Sequence, residues 1–172
     1  MANKVGVDPD PTYKEDNIIL KTSDDFFKEN NKIFDIIFID GMHQLEYVYN
    51  DFFNSINCLT PKGSIVIDDV LPMNEREQYK IPIEHYYNNG ILKYGESWTG
   101  DVWKAAAFVR MNFDHVQLRI LDMDWGCGIL EVKYEPNLYP NTPLQNLDWN
   151  FFVQNRDELL NVTSLEDWLG SH

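Results

Sequence analysis

The chain has 172 residues, 44% of them hydrophobic and 14% aromatic, with 14 Lys and Arg against 28 Asp and Glu, a formal net charge of −14. That length suits one domain that buries roughly 70% of its unfolded surface without disulfide staples, and the apolar content excludes global disorder. The negative excess disfavours a phosphate backbone or an anionic membrane surface as partner, so no nucleic acid and no membrane is expected.

Read in chain order, residues 5–8 form a short apolar run stopped by Pro9 and Pro11, a strand entered almost at once. Residues 18–20 form a second short strand. Ser23 or Asp24 then caps a short helix containing Phe26 and Phe27. Residues 34–39 read Phe-Asp-Ile-Ile-Phe-Ile, a nearly continuous apolar run suited to a parallel strand covered on both faces, and end at Asp40-Gly41. Met42, Leu45, Val48, Tyr49, Phe52, Phe53 and Ile56 recur at helical spacing. Thr60-Pro61-Lys62-Gly63 breaks that helix, and residues 64–67 form a buried strand ending in Asp68-Asp69.

Residues 71–100 hold Pro72, Pro82, Gly90, Gly95 and Gly100 among aromatics and charges, and read as an ordered lid with a short helix around 83–87. A helix is expected over 101–111, with Asp101 at its positive end. A strand over 116–121 turns through Trp125-Gly126-Cys127-Gly128 into an antiparallel partner over 129–134. Pro136, Pro140 and Pro143 make a stiff connector. One helix then runs from 147 to about 160, and Thr163 or Ser164 caps a last short one. Strands alternating with helices indicate an α/β fold with a mostly parallel sheet and a C-terminal antiparallel hairpin. Cys58 and Cys127 lie outside any CxxC or Cys/His spacing and read as small buried hydrophobes in a reducing compartment. No apolar run spans a membrane and the N-terminus has no secretory pattern, so cytoplasmic residence is the expectation.

In open α/β sheets ligands bind beyond the carboxyl ends of the strands. Along that edge stand Asp8, Ser23-Asp24, Asp40-Gly41 with His43, and Asp68-Asp69. A carboxylate after an early strand accepts from both hydroxyls of a ribose, and Asp8 is placed for that. Carboxylates from neighbouring strands suit magnesium, a hard cation that keeps several waters, and Asp40, Asp68 and Asp69 are placed for that. His43, three residues after Asp40, is the candidate general base.

Phe34-Asp-Ile-Ile-Phe-Ile-Asp-Gly-Met-His43, followed by Leu59-Thr-Pro-Lys-Gly-Ser-Ile-Val-Ile-Asp-Asp-Val70, resembles the central part of a class I S-adenosylmethionine-dependent methyltransferase. Val5-Gly-Val-Asp-Pro-Asp-Pro11 resembles that fold's second strand, with Asp8 as the ribose acid, and Ser23-Asp24 matches the segment that contacts adenine. Trp98-Thr-Gly-Asp-Val-Trp-Lys104 and the turn at 124–128 resemble a bacterial subgroup that modifies glycans and natural products. The resemblance implies a Rossmann-like three-layer sandwich over residues 1–135, with 136–172 packed on it. It implies methyl transfer to a sugar or small-molecule hydroxyl, cofactor contacts from Asp8, Ser23, Asp24, Asp40 and Gly41, and catalysis by His43 and Asp40. In related metal-dependent sugar O-methyltransferases, carboxylates at the positions of Asp40, Asp68 and Asp69 hold magnesium.

The sequence departs from the family at one point: it holds no GxGxxG, and the family's first strand, glycine loop and following helix would precede Val5. That strand belongs mid-sheet, so a central gap is expected. Three readings stand: an N-terminal truncation, which is favoured; closure of the gap by direct pairing of its neighbours; or a strand supplied by another chain, an unpaired edge that invites homo-oligomers. The functional alternative is a non-catalytic binding module on the same fold. A receiver domain is disfavoured because its Asp pair comes before its single Asp, and a two-His iron site is disfavoured because only one His lies near the acids.

Overall fold

A computed structural model describes residues 4–12, 17–80, 86–88, 91–93, 98–133 and 143–171. The elements are β1 (Gly6–Asp8), β2 (Ile18–Leu20), α1 (Ser23–Glu29), β3 (Phe34–Ile39), α2 (Leu45–Ile56), β4 (Leu59–Ile67), β5 (Tyr86–Asn88), β6 (Ile91–Lys93), α3 (Val102–Asn112), β7 (Val116–Leu121), β8 (Cys127–Val132), α4 (Trp149–Leu159), β9 (Val162–Thr163) and α5 (Leu165–Gly170). The fold is α/β with a central sheet, as expected, and is compatible with a Rossmann-like methyltransferase fold. Its five strands run β3–β4–β8–β7–β9. β3 and β4 are parallel, β8 is antiparallel to both β4 and β7, and β9 returns parallel to β7.

β1 and β2 form a separate parallel pair, with Val7 opposite Ile19. β1 does not pair with β3, so the reading in which the gap closes by direct pairing is wrong. The outer edge of β3 carries no strand among the described residues.

The two faces of the sheet have sharply unequal burial. Ile39, Ile65, Ile67, Leu118, Ile120 and Leu130 are buried on one face, against α2 and α3. On the other face Ile36 is 68% and Phe38 57% exposed. The expectation that residues 34–39 are covered on both faces is therefore corrected. Among the described residues one helical layer covers the sheet, and an edge strand bounded by the gap keeps its second face open.

α3 is buried nearly all round because it lies between α2, β7 and α4. Trp103 meets Phe152 of α4 with ring centroids 4.8 Å apart, and Trp149 stacks on Phe152 at 5.2 Å. Residues 143–171 thus contribute core (Leu147, Phe152, Leu159, Leu160) and an edge strand. Their polyproline connector lies outside the described residues, apart from Pro143.

Local chemistry moves several boundaries. Thr22, not Ser23 or Asp24, caps α1, accepting from Asp25 N at 3.2 Å. α2 begins at Leu45, leaving Met42 exposed before it. β4 starts at Leu59, five residues early, since Phe34 N reaches Cys58 O and a register irregularity absorbs the Pro-Lys-Gly stretch. Cys127 and Gly128 belong to β8 rather than to the turn. Ser164 caps α5 through Asp167 N at 3.0 Å. Tyr86–Asn88 is a strand paired with Ile91–Lys93 instead of part of a helix; residues 83–85 lie outside the described residues. Both cysteines are free and half-buried.

Candidate functional site

Asp40 leaves β3 and Asp69 leaves the neighbouring parallel β4, so both emerge at the same sheet edge. Asp68 N donates to Ile39 O at 3.1 Å and ties the two exits together. Asp69 takes a left-handed backbone, φ 59°, a region that non-glycine residues seldom occupy and that clusters at functional sites. The turn between β7 and β8 holds it there. Val70 N donates to Gly126 O at 3.0 Å and Leu71 N to Trp125 O at 2.5 Å. Gly126, at φ 84°, lies so close to Leu71 that a Cβ would meet its Cγ at 2.4 Å.

His43 reaches this point from the loop after β3. Its Nε2 lies 3.1 Å from Asp69 Oδ2 and 3.7 Å from Asp40 Oδ1. Its Nδ1 lies 2.8 Å from the carbonyl oxygen of Trp98, whose ring stacks on the imidazole at 5.0 Å. Asp40, His43 and Asp69 each offer one ligand atom, all within 4.8 Å of one another. The two carboxylates are the oxygen donors that a hard divalent cation would take, with His43 beside them.

The electrostatics agree with that geometry. Burial, with Asp68, Asp40 and Glu77 nearby, pushes the Asp69 carboxyl up to about 6, and His43 opposes the rise. Burial and Asp68 also raise Asp40. Burial and Asp68 push the Cys127 thiol up. Acids are held together here against their mutual repulsion, with His43 the basic group between them.

The other expected residues fall into two groups. Asp68 adjoins the trio, but its Oδ1 accepts from Asp69 N at 3.0 Å. Asp8, at the end of β1, accepts from Asp10 N at 2.7 Å and closes a turn. Ser23 and Asp24 lie in the first turn of α1, Asp24 exposed on a groove that also holds Lys28 and Tyr49. Asp51 links them to the β3 exit. Burial raises its pKa, Ser23 beside it holds it down and Asp24 pushes it up. Its Oδ2 is 4.0 Å from where a Cβ on Gly41 would stand, and its Oδ1 is buried without a partner. Sequence reasoning missed Asp51, although its position on the stripe of Val48, Phe52 and Ser55 made it a carboxylate on the buried face of α2.

The segment expected as a lid is anchored at both ends. Leu71 and Pro72 are buried. The Glu77 carboxylate accepts from Met73 N at 2.7 Å and from Asn74 Nδ2 at 2.9 Å. Thr99 N and Gly100 N both donate to Glu77 O.

Residues 12–70 match the family of methyltransferase domains. The matched stretch runs from the approach to β2 through the exit of β4 and contains Asp40, His43, Asp68 and Asp69, while Asp8 and residues 98–101 lie outside it. No curated protein matches the chain. Over that stretch, less than half of the chain, the protein is similar to methyltransferase domains. Among the described residues no helix is long and apolar enough to cross a membrane.

Proposed function

We propose that the chain is an S-adenosylmethionine-dependent O-methyltransferase acting on a small-molecule or sugar hydroxyl, with His43 as general base and Asp40 and Asp69 as holders of a divalent cation such as magnesium. The observation that carries this reading is the convergence of His43 Nε2, Asp69 Oδ2 and Asp40 Oδ1 at the ends of two adjacent parallel strands.

When bound, S-adenosylmethionine supplies an electrophilic methyl carbon on a sulfonium, and a divalent cation lowers the pKa of a hydroxyl beside it. The chain's own contribution is charge and placement. His43 takes the hydroxyl proton on Nε2 as the oxygen forms its new bond to carbon. Asp40 and Asp69 make the pocket negative, which favours a cationic cofactor over its neutral product. Asp8 is proposed for the ribose hydroxyls, and Ser23, Asp24 and Gly41 for the nucleobase side, with Asp51 behind them. Holding the hydroxyl in line with the methyl carbon supplies the orientation component of catalysis.

The break between β1 and β3 favours a second reading, a non-catalytic binding module on this fold. Calorimetric titration with S-adenosylhomocysteine separates the two. Binding followed by turnover on a panel of sugar and aryl hydroxyls supports the enzyme, and absence of heat at millimolar ligand removes it for this chain. With turnover in hand, His43→Ala should lower kcat by about 10²–10⁴-fold, and unchanged turnover would show that His43 is not the base. Activity that persists in chelator removes the cation.

A further inference from the structure

His43 points Nε2, rather than Nδ1, at the acids. Its loop has no side-chain cap of its own: Gln44 precedes α2 without one, and the first helical N–H, that of Leu45, has no partner within the helix. The partner comes from 56 residues away. Asp101 is buried, and its Oδ1 accepts from Leu45 N at 2.7 Å. Asp101 precedes α3 but makes no cap bond there, so its carboxylate serves α2 instead.

The neighbouring residues complete the contact. The carbonyl of Trp98 can only accept, so its 2.8 Å contact with Nδ1 of His43 is a hydrogen bond when Nδ1 carries the ring proton, and Asp69 Oδ2, 3.1 Å from Nε2, is the acceptor that competes for it. Gly100 lies so close to the His43 backbone that a Cβ would stand 1.6 Å from the His43 carbonyl oxygen, and its φ of 59° suits glycine. Trp98 is itself fixed by its Nε1 donating to Tyr79 O at 2.7 Å, and Thr99 and Gly100 by Glu77 O.

We propose that residues 98–101 are a positioning clamp that fixes His43 in the Nδ1–H tautomer and leaves Nε2 as the basic atom facing Asp69 and Asp40. The clamp rests on the reading of His43 as base. Trp98 supplies the tautomer-setting carbonyl and the stacking surface, Gly100 the close approach, and Asp101 the anchor that stops the loop from fraying with the first turn of α2. None of the three touches the reacting atoms; each acts through His43.

Long-range proton–nitrogen correlation spectra of the whole ¹⁵N-labelled chain, at alkaline pH where the ring is neutral, read the tautomer directly. His43→Gln assigns the signal. The Nδ1–H form is expected in the unsubstituted chain and in Asp101→Asn, which keeps an acceptor for Leu45 N. Asp101→Ala and Gly100→Ala should shift toward Nε2–H and lower kcat on the order of 10²-fold, with S-adenosylhomocysteine affinity within about twofold, the scale of loss caused by misplacing a catalytic group by about 1 Å. If Gly100→Ala does not fold, the Asp101 pair decides the matter. An Nε2–H tautomer in the unsubstituted chain overturns the clamp whatever its activity, and so does Asp101→Asn behaving like Asp101→Ala. The expected tautomer together with full turnover in His43→Gln refutes the base role alone.

Discussion

Asp69 is held where its ionised form is unfavourable, so Asp69→Asn should stabilise the chain at neutral pH. The carboxyl rises from 3.8 to about 6 through burial and its acidic neighbours. Between those values the folded state holds a proton that the unfolded state has released. Stability therefore falls as pH climbs from about 4 to about 6, and stays reduced above that. Roughly two units at 1.36 kcal/mol each set a ceiling of about 3 kcal/mol. The attraction to His43 is already contained in that value, and solvent screening of a partly exposed carboxyl brings the net gain to about 1–3 kcal/mol. Asn also suits the left-handed backbone at this position and can donate to Nε2. For a chain of this length the gain amounts to about 5 °C in Tm. Urea unfolding in chelator at about pH 7.5 and about pH 4 checks it: the variant should win at the higher pH and match the parent at the lower. Destabilisation at neutral pH, or an equal gain at both, would refute the claim that buried charge is the cause.

Phe152→Ala should cost about 3–5 kcal/mol, because the ring is buried against Trp103 and Trp149; denaturant melts read this directly. Ser164→Ala should loosen α5 and speed its amide exchange while moving global stability by no more than about 1 kcal/mol, since no residue of that helix is buried. Ile36→Lys combined with Phe38→Lys should leave stability within about 0.5 kcal/mol and reduce light scattering from concentrated samples, as both side chains are exposed beside an unpaired strand edge. Magnesium or manganese at about 100 times its Kd should stabilise the parent by about 2.7 kcal/mol and leave Asp40→Asn unaffected; scanning calorimetry with and without chelator separates them.

The exits of β3 and β4 were legible in the sequence because apolar runs that end in acids leave little freedom about where the acids emerge. His43 was legible for the same reason, three residues past such an exit. What periodicity could not show was contact made at a distance. The cap of α2 comes from Asp101 and the orientation of His43 from a backbone carbonyl at Trp98, and neither leaves a local pattern. β9 is a two-residue strand that exists only because β7 offers an edge. The second face of β3 failed differently. An apolar run states what a strand could bury, and Ile36 and Phe38 show that nothing among the described elements covers them.

The acidic edge has an energetic consequence that bears on which ligands it can take. Burial and Asp68 raise both Asp40 and Asp69, Asp40 and Glu77 add to the rise at Asp69, and the His43 imidazole opposes it at both. A fold whose net charge is −14 does not need these acids for solubility, and the burial of Asp40 and Asp69 costs stability at neutral pH. A neutral or anionic ligand leaves that cost in place. A ligand pair with positive charge at the site, a sulfonium and a divalent cation, reverses it, since each acid then stabilises the complex more than it destabilises the free chain. The same acids should repel the neutral thioether product less than they retain its charged precursor. The asymmetry would appear as tighter binding of S-adenosylmethionine than of S-adenosylhomocysteine. In Asp69→Asn and Asp40→Asn the gap should narrow by a few-fold, each replacement removing one screened charge interaction of about 1 kcal/mol. Equal affinities in the parent chain would mean that the acids serve the cation alone.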